Sequence, residues 1–344
     1  MTVALLSEDA LISQLFAPIA GEGALALRDD VALLSSPPGS EMVLTVDTIV
    51  ADVHFFRTDP PGTVARKALR VNLSDLAAKG AEPLGFLLSL SLPVETSLSW
   101  ITAFSEGLGA DSRAFSCPLL GGDTVRTQGP LTISITAVGR VPAGYLVRRT
   151  GAKPGDILAV TGTIGDSTLG LQLRLEEQQA SNGASSINGA KPLLLRDELT
   201  PGEQAFLAQR YLLPEPRNAV AHALREHANG AMDVSDGLIG DARKFLKASG
   251  VSGSIDLEKV PLSSAVKAAI DLAPELMTAA VTGGDDYEIL CTVPAERFAA
   301  FQRQCESVSV PLTAIGTIDT GDAPLITRLN GADFPIGHGS FSHF

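Results

Sequence analysis

Residues 142–156, PAGYLVRRTGAKPGD, constrain the fold more than any other stretch. Proline and glycine crowd there among basic side chains, a mixture that sustains neither helix nor strand and marks exposed chain between domains. On each side of it, strand and helix patterns interleave and begin afresh. Before it, EMVLTVDTIVADVHF (41–55) has the Val, Ile and Thr content of a strand and its exit, with Asp47 interrupting. TVARKALRVNLSDLAAKG (63–80) sets Leu69, Leu73, Leu76 and Ala77 on one helical face and closes at Gly80. FLLSLSLP, WITAFSEGLGADSRAF and PLTISITAVGRV read as strand, helix and strand. After it, DILAVTG is a strand, DSTLGLQLRLEEQ a helix and NGAMDV a strand. SDGLIGDARKFLKASG is then a helix in which Leu238, Ile239, Ala242, Phe245 and Leu246 recur at helical spacing. A chain of 344 residues, 45% hydrophobic, can bury two cores. The expectation is an α/β (α+β) chain of two domains, 1–147 and 148–344. Ser7 before Glu8 and Asp9 reads as the N-cap of a short helix through Phe16, and QASNGASSINGAKP (179–192) reads as a mobile surface loop.

A formal net charge of -13 argues against nucleic-acid backbones and anionic membranes as main partners, because both reward clustered Lys and Arg. It is compatible with anionic substrates held through metal ions, and equally with surplus acid that only maintains solubility. Cys117, Cys291 and Cys305 form no short-spaced pair and leave an odd count, which supports neither a disulfide framework nor a zinc site. No stretch approaches the roughly 20 apolar residues of a membrane span, and no basic n-region precedes the first apolar runs. The expected compartment is the cytoplasm.

The acids stand in unusual places. Asp29 and Asp30 lie in LRDDVALL, Asp47 in a strand, Asp75 in a helix and Asp123 in LLGGDT. Asp233 and Asp236 flank a strand-to-helix turn in AMDVSDGL, and Asp285 and Asp286 lie in TGGDDYEIL. Aspartate is rarely buried without a partner, and these motifs are poor in candidate basic partners. Hard divalent ions are the simplest answer, since Mg2+ takes oxygen ligands and bridges to substrate phosphates. Each site also has a plainer reading. Ser235 or Asp236 could cap the helix that starts near Leu238. Asp75 could pair with Lys79 one turn later. The glycines before Asp123 and Asp285 could mark tight reversals, His54 could be packed, and Arg148 and Arg149 could be solvated charge or polyphosphate contacts. Recurrence in six segments is what those readings explain least well. There is no GxxxxGK[ST] loop, G-x-S-x-G elbow or HExxH pair.

The strings RDDVALL, LTVDTIVADVHF, RKALRVNLSDLAAKGAEP, LLGGDT, RRTGAKPGD, YLLPEPR, MDVSDGL, TGGDDYEIL and SFSHF, in this order, carry a resemblance that runs nearly end to end. The chain resembles the thiamine-monophosphate kinase family, in the superfamily that includes aminoimidazole ribonucleotide synthetase. The resemblance implies transfer of the γ-phosphoryl group of ATP to the phosphate of thiamine monophosphate, the final step in making thiamine diphosphate. It implies several Mg2+ ions held at Asp30, Thr45, Val46, Asp47, Asp75, Asp123, Asp233 and Asp236. ATP contacts are implied at Gly122, Asp123, Arg149 and Ser235, and thiamine-phosphate contacts at His54, Asp285 and the C-terminal aromatic Phe341. It further implies a homodimer, in which the N-terminal sheet forms a barrel with its twin, and an active cleft between the N- and C-terminal domains. The family usually has Gly where Arg28 stands and Thr where Val46 stands; a main-chain ligand at position 46 survives that change.

Donor and acceptor would both be phosphates, so attack brings like charges together unless bridging cations neutralise them. A phosphate monoester with a second pKa of about 6 is largely a dianion at neutral pH, so no strong general base is required. That chemistry implies an in-line displacement without a phosphoenzyme. Rival readings are a selenophosphate or aminoimidazole ribonucleotide synthetase, a non-catalytic nucleotide- or metal-binding protein, and a two-carboxylate glycosidase. The first would want a reactive Cys near a glycine-rich N-terminus, and the last would not need acids in six segments.

Overall fold

Period-two alternation builds a four-stranded sheet in the first part of the chain. The structure is a computed structural model that describes residues 7–28, 31–35, 37–182 and 195–337. Strands β1 (Ser40–Val50), β2 (Glu82–Pro93), β3 (Leu119–Thr127) and β4 (Thr132–Pro142) pair in the order β1-β4-β2-β3. The β1–β4 and β2–β4 pairs are antiparallel and β2–β3 is parallel. The helices of this unit are α1 (Glu8–Leu11), α2 (Pro61–Ala78) and α3 (Leu98–Ala114), the last capped by Ser97, whose hydroxyl accepts from Trp100 N. Beyond α1 the chain continues as a π-helix, Ile12–Phe16. Helices α2 and α3 approach closely at Gly62 and Gly107, where a Cβ on Gly107 would meet the Gly62 carbonyl oxygen at 2.4 Å. Arg66 and Arg70 of α2 both hold the buried Asp111 of α3, at 2.9 and 2.5 Å. Ile49, Leu88, Leu90, Ile133 and Ile135 are buried, whereas Leu44, Val46, Leu87 and Val125 are exposed on the other face of the sheet.

Two sequence expectations change here. GGDT is not a reversal: Gly121–Thr124 lies inside β3, paired with Leu87–Leu90 of β2. The glycine serves close approach, since a Cβ on Gly122 would stand 1.8 Å from the Leu88 carbonyl oxygen. The segment 179–192 is not loop from its start, because residues 179–182 complete helix α4 (Asp166–Asn182); residues 183–192 lie outside the described residues. The Glu and Gln that precede them are good helix formers and carry the helix onward.

The second unit takes Ala77–Gly80 and the chain from Tyr145 onward. Its seven strands are β5 (Ile157–Thr161), β6 (Gly230–Val234), β7 (Ser252–Asp256), β8 (Glu288–Val293), β9 (Leu312–Asp319), β10 (Ile326–Leu329) and β11 (Ala332–Asp333). They run in the order β11-β10-β7-β9-β5-β8-β6. The helices after α4 are α5 (Pro201–Leu212), α6 (Ala221–His227), α7 (Leu238–Ser249), α8 (Ser264–Leu272), α9 (Leu276–Thr282) and α10 (Ala295–Ser307). Strands β6 and β8 are buried throughout, and alternate residues feed two cores. Leu158, Val160, Met232, Val234 and Leu290 pack with Leu238 and Phe245 of α7. Ala159, Ala231, Ile289 and Cys291 pack with Leu224 of α6 and Phe301 of α10. A sheet covered on both faces explains why these strands read as continuous apolar runs. Among the described residues no helix is long and apolar enough to cross a membrane.

Candidate active site

In the first unit the candidate residues meet where β1 faces α2. Alternation puts Thr45 and Asp47 on the same side of β1. The Thr45 hydroxyl donates to the Asp75 carboxylate, and Asp47 N donates to Asn72 Oδ1 at 3.0 Å. Asn72 and Asp75 are three apart on the helix and therefore share a face. Asn72 is fully buried, and its Nδ2 donates to Ala68 O at 3.0 Å, which fixes its amide. Sequence reading missed it; the available signal was its place three residues before Asp75 on the same helical face. The Thr45 hydroxyl and the Asp75 carboxylate are in contact, and Asp47 shares their side of β1, so oxygen donors of the kind a hard divalent cation takes are gathered along this edge, with water and substrate phosphate needed to complete an octahedral shell. Val46 is on the opposite side with its side chain exposed, so only its main chain could act as a ligand. His54 follows β1, and its Nδ1 accepts from Val50 N at 3.0 Å, so the neutral ring carries its proton on Nε2. Asp30 lies outside the described residues.

Asp123 does not join that group. Register aligns it with Ser89, then Ser134 and Thr48, a row exposed on the other face and tied by the Thr48–Ser134 hydroxyl pair at 2.9 Å. Among the described residues no three His, Cys, Asp or Glu side chains form a metal-binding group. Gly122 and Asp123 instead line a cavity of about 670 Å³ whose remaining wall is mostly apolar, including Phe16, Leu27, Val31, Leu87 and Leu120.

In the second unit the turn from β6 to α7 presents Asp233, Ser235 and Asp236. Neither Ser235 nor Asp236 caps α7. The N-cap position is Gly237, whose φ of 116° and tight packing against the Thr282 carbonyl admit no side chain. Asp241, one turn into the helix and buried, accepts instead from Ser235 N at 3.0 Å and Asp236 N at 2.9 Å. The expected shortage of basic partners is also corrected, because Lys244 reaches Asp236 Oδ2 at 2.5 Å and Asp241 Oδ1 at 2.9 Å. Eight residues separate Lys244 from Asp236 in sequence, and helix geometry brings them together. Partial burial works to lower the Lys244 pKa, but its hydrogen bonds to Asp236 and Asp241 more than offset this and the net direction is up. Burial pushes Asp241 up, opposed by Lys244 and the Asp236 main chain. The three donors on Asp241 all favour its carboxylate, and the pair is an ion pair.

The loop 283–287 lies beside this turn. Asp285 N donates to Ser235 O and Tyr287 N to Val234 O, both at 2.8 Å. Asp285 and Tyr287 have φ of 70° and 52°, so the loop holds two side-chain-bearing residues in the left-handed region. Beneath it, both carboxylate oxygens of the buried Asp286 accept from Gly165 N at 3.0 Å. Burial first, then the nearby Asp166 and Glu288 charges, push Asp286 well above the usual carboxylate range. Glu288 is fully buried and accepts from Arg210 at 3.1 Å, from Arg217 at 2.6 Å and from the Thr161 hydroxyl at 2.8 Å. Arg217 of YLLPEPR and Glu288 of DDYEIL are thus a buried scaffold pair. Arg149 is exposed and opens a short 3-10 turn, its carbonyl accepting from the Ser249 hydroxyl at 2.9 Å. Lys79 donates to Ala231 O at 2.7 Å, while Asp75 takes the Thr45 hydroxyl described above. Phe341 lies outside the described residues. All three cysteines are buried, and burial pushes the Cys117 thiol up to about 12, which removes it as a nucleophile.

Known proteins are similar along nearly the whole chain. The AIR synthase related protein N-terminal domain matches residues 28–141, and the AIR synthase related protein C-terminal domain matches residues 153–325. A thiamine-monophosphate kinase of Caulobacter vibrioides is 42% identical over 302 residues, covering 87% of this chain and 80% of the relative. The crystal structure of thiamine-monophosphate kinase from Stenotrophomonas maltophilia K279a superposes with a TM-score of 0.75 at 38% identity, over 89% of this chain and 90% of the other. AaThiL complexed with AMPPCP and TMP gives a TM-score of 0.74 at 30% identity, over 98% and 94%. The chain belongs to the thiamine-monophosphate kinase family of AIR synthase related proteins.

Proposed function

We propose that this protein transfers the γ-phosphoryl group of ATP to the phosphate of thiamine monophosphate, yielding thiamine diphosphate and ADP. The observation that carries the reading is the likeness, along nearly the whole chain, to a protein complexed with AMPPCP and TMP, ligands that stand for the two substrates. Residues up to 147 form the ATP- and Mg2+-binding domain and residues 148–344 complete the site. Asp30, Thr45, Asp47, Asp75, Asp123, Asp233 and Asp236, with the main chain at Val46, hold several Mg2+ ions. The Thr45–Asp75 contact, with Asp47 on the same side of β1, supports this for Thr45, Asp47 and Asp75. Bound Mg2+ supplies neutralisation of the phosphate oxygens, which otherwise repel one another.

The remaining chemistry is positioning. Gly122 and Asp123 border a cavity whose apolar wall suits a purine, and the exposed Arg149 guanidinium suits a polyphosphate. Ser235 N is already taken by Asp241, so Ser235 meets ATP through its hydroxyl. Asp285 and His54 contact thiamine monophosphate together with Phe341. The acceptor is a dianion at neutral pH and attacks in line without a phosphoenzyme or a strong base. The protein works as a homodimer in the cytoplasm, and the exposed Leu44, Val46, Leu87 and Val125 on one sheet face support the dimer. The test offers free thiamine and thiamine monophosphate separately with ATP and Mg2+. Thiamine diphosphate from thiamine monophosphate, with no phosphorylation of free thiamine, is expected; phosphorylation of the free alcohol would contradict the phosphate-acceptor reading.

A further inference from the structure

The strand-to-helix turn at Ser235 and Asp236 is held from two sides. From below, the buried Asp241 carboxylate takes both main-chain N–H groups, so the turn has its shape without any ligand. From above, the Lys244 ammonium sits on the Asp236 carboxylate at 2.5 Å and on Asp241 at 2.9 Å. The two contacts differ in kind. Asp241 is 1% exposed, whereas the Asp236 and Lys244 side chains are 37% and 42% exposed, so the Asp236 contact lies where another cation can replace Lys244. The two N–H donors both fall on Asp241 Oδ2 and Lys244 serves Oδ1, so Lys244 can release Asp236 while keeping its bond to Asp241.

We propose that Lys244 is a built-in counter-ion that occupies the cation position at Asp236 in the metal-free protein and is displaced from it when a divalent cation binds. This rests on the reading of Asp236 as a metal ligand. A lysine in this place does two things before the metal arrives. It cancels the charge of an acid held against the main-chain turn, keeping the turn formed, and it lowers the affinity of the cation that must replace it. Its removal therefore has opposite effects on the two states: the metal-free protein loses stability, and the metal gains affinity from the loss of both a competitor and a like charge.

The experiment titrates MgCl2 alone into the full chain, with NaCl matched for ionic strength, and follows both heat of binding and melting temperature for the parent and for Lys244→Met and Lys244→Gln. In both variants Mg2+ is expected to bind about 5-fold more tightly, the upper end of what a half-exposed ion pair converts to. Their melting temperatures should lie below that of the parent without Mg2+, with the deficit closing as Mg2+ saturates. A lysine with only a structural role would leave an equal deficit at every Mg2+ concentration, and unchanged or weaker Mg2+ binding in both variants would overturn the proposal. Asp236→Asn separates the two layers of the inference. If it weakens Mg2+ binding while the Lys244 variants leave it unchanged, the counter-ion role is wrong and the ligand reading stands; if Asp236→Asn leaves Mg2+ binding unchanged, the ligand reading itself is wrong.

Discussion

A Cβ at position 122 would stand 1.8 Å from the Leu88 carbonyl oxygen, and because the obstacle is main chain, no side-chain rotation relieves it. Gly122→Ala must push β3 away from β2 at the edge of the sheet. A cost of about 1–3 kcal/mol is expected, the range for overpacking, and a melting curve checks it. A melting temperature within about 1 °C of the parent would show that the strands are not so close. The same residue shows what a sequence hides. A glycine pair before an acid looks alike in a reversal and in a strand that passes close to its neighbour, and only the partner strand tells them apart. Asn72, Asp241 and Lys244 escaped for a related reason: each acts through a contact that arises when a helix meets a strand or folds back on its own first turn. The acids were legible as candidates because carboxylates on apolar segments have few explanations, and the structure puts Thr45 in direct contact with Asp75 and Ser235 in direct contact with Asp285.

At the scale of elements, the turn after β6 and the loop before β8 are set by buried acids rather than by the residues they display. Asp286 lies under the Asp285 loop, bonded to Gly165 N, and burial raises its pKa well above the ordinary 3.8. A folded pKa above the unfolded one means that this group contributes stability below the unfolded value and loses it as pH rises through the folded value. Asp286→Asn cannot ionise. Its melting temperature relative to the parent should therefore become more favourable as pH rises above the ordinary value of 3.8, and a difference that moved the other way would mean Asp286 is ionised in the folded protein. Strands and helices were readable wherever their period is long. The end of α4 was not, because Gln179 and its neighbours continue a helix on propensity alone, just before a stretch rich in Ser, Asn and Gly.

At the scale of the whole molecule, each unit encloses its own core, and the four-stranded sheet leaves one face with Leu44 at 65% and Val46 at 60% exposure. Such a face is costly to leave in water, and covering it with a second copy is the simplest remedy. If the proposed dimer forms through this face, Leu44→Asp should shift it to monomer by light scattering; a parent that is itself monomeric would rule the dimer out. The proposed reaction is defined by where the γ-phosphoryl group of ATP goes. Tracing it with ATP labelled on the γ-phosphorus, in the presence of Mg2+ and thiamine monophosphate, is the most direct measurement. Label recovered in thiamine diphosphate in step with ADP formation is the expected result. Label released as inorganic phosphate, with thiamine monophosphate unchanged across a range of Mg2+ concentrations, would contradict it.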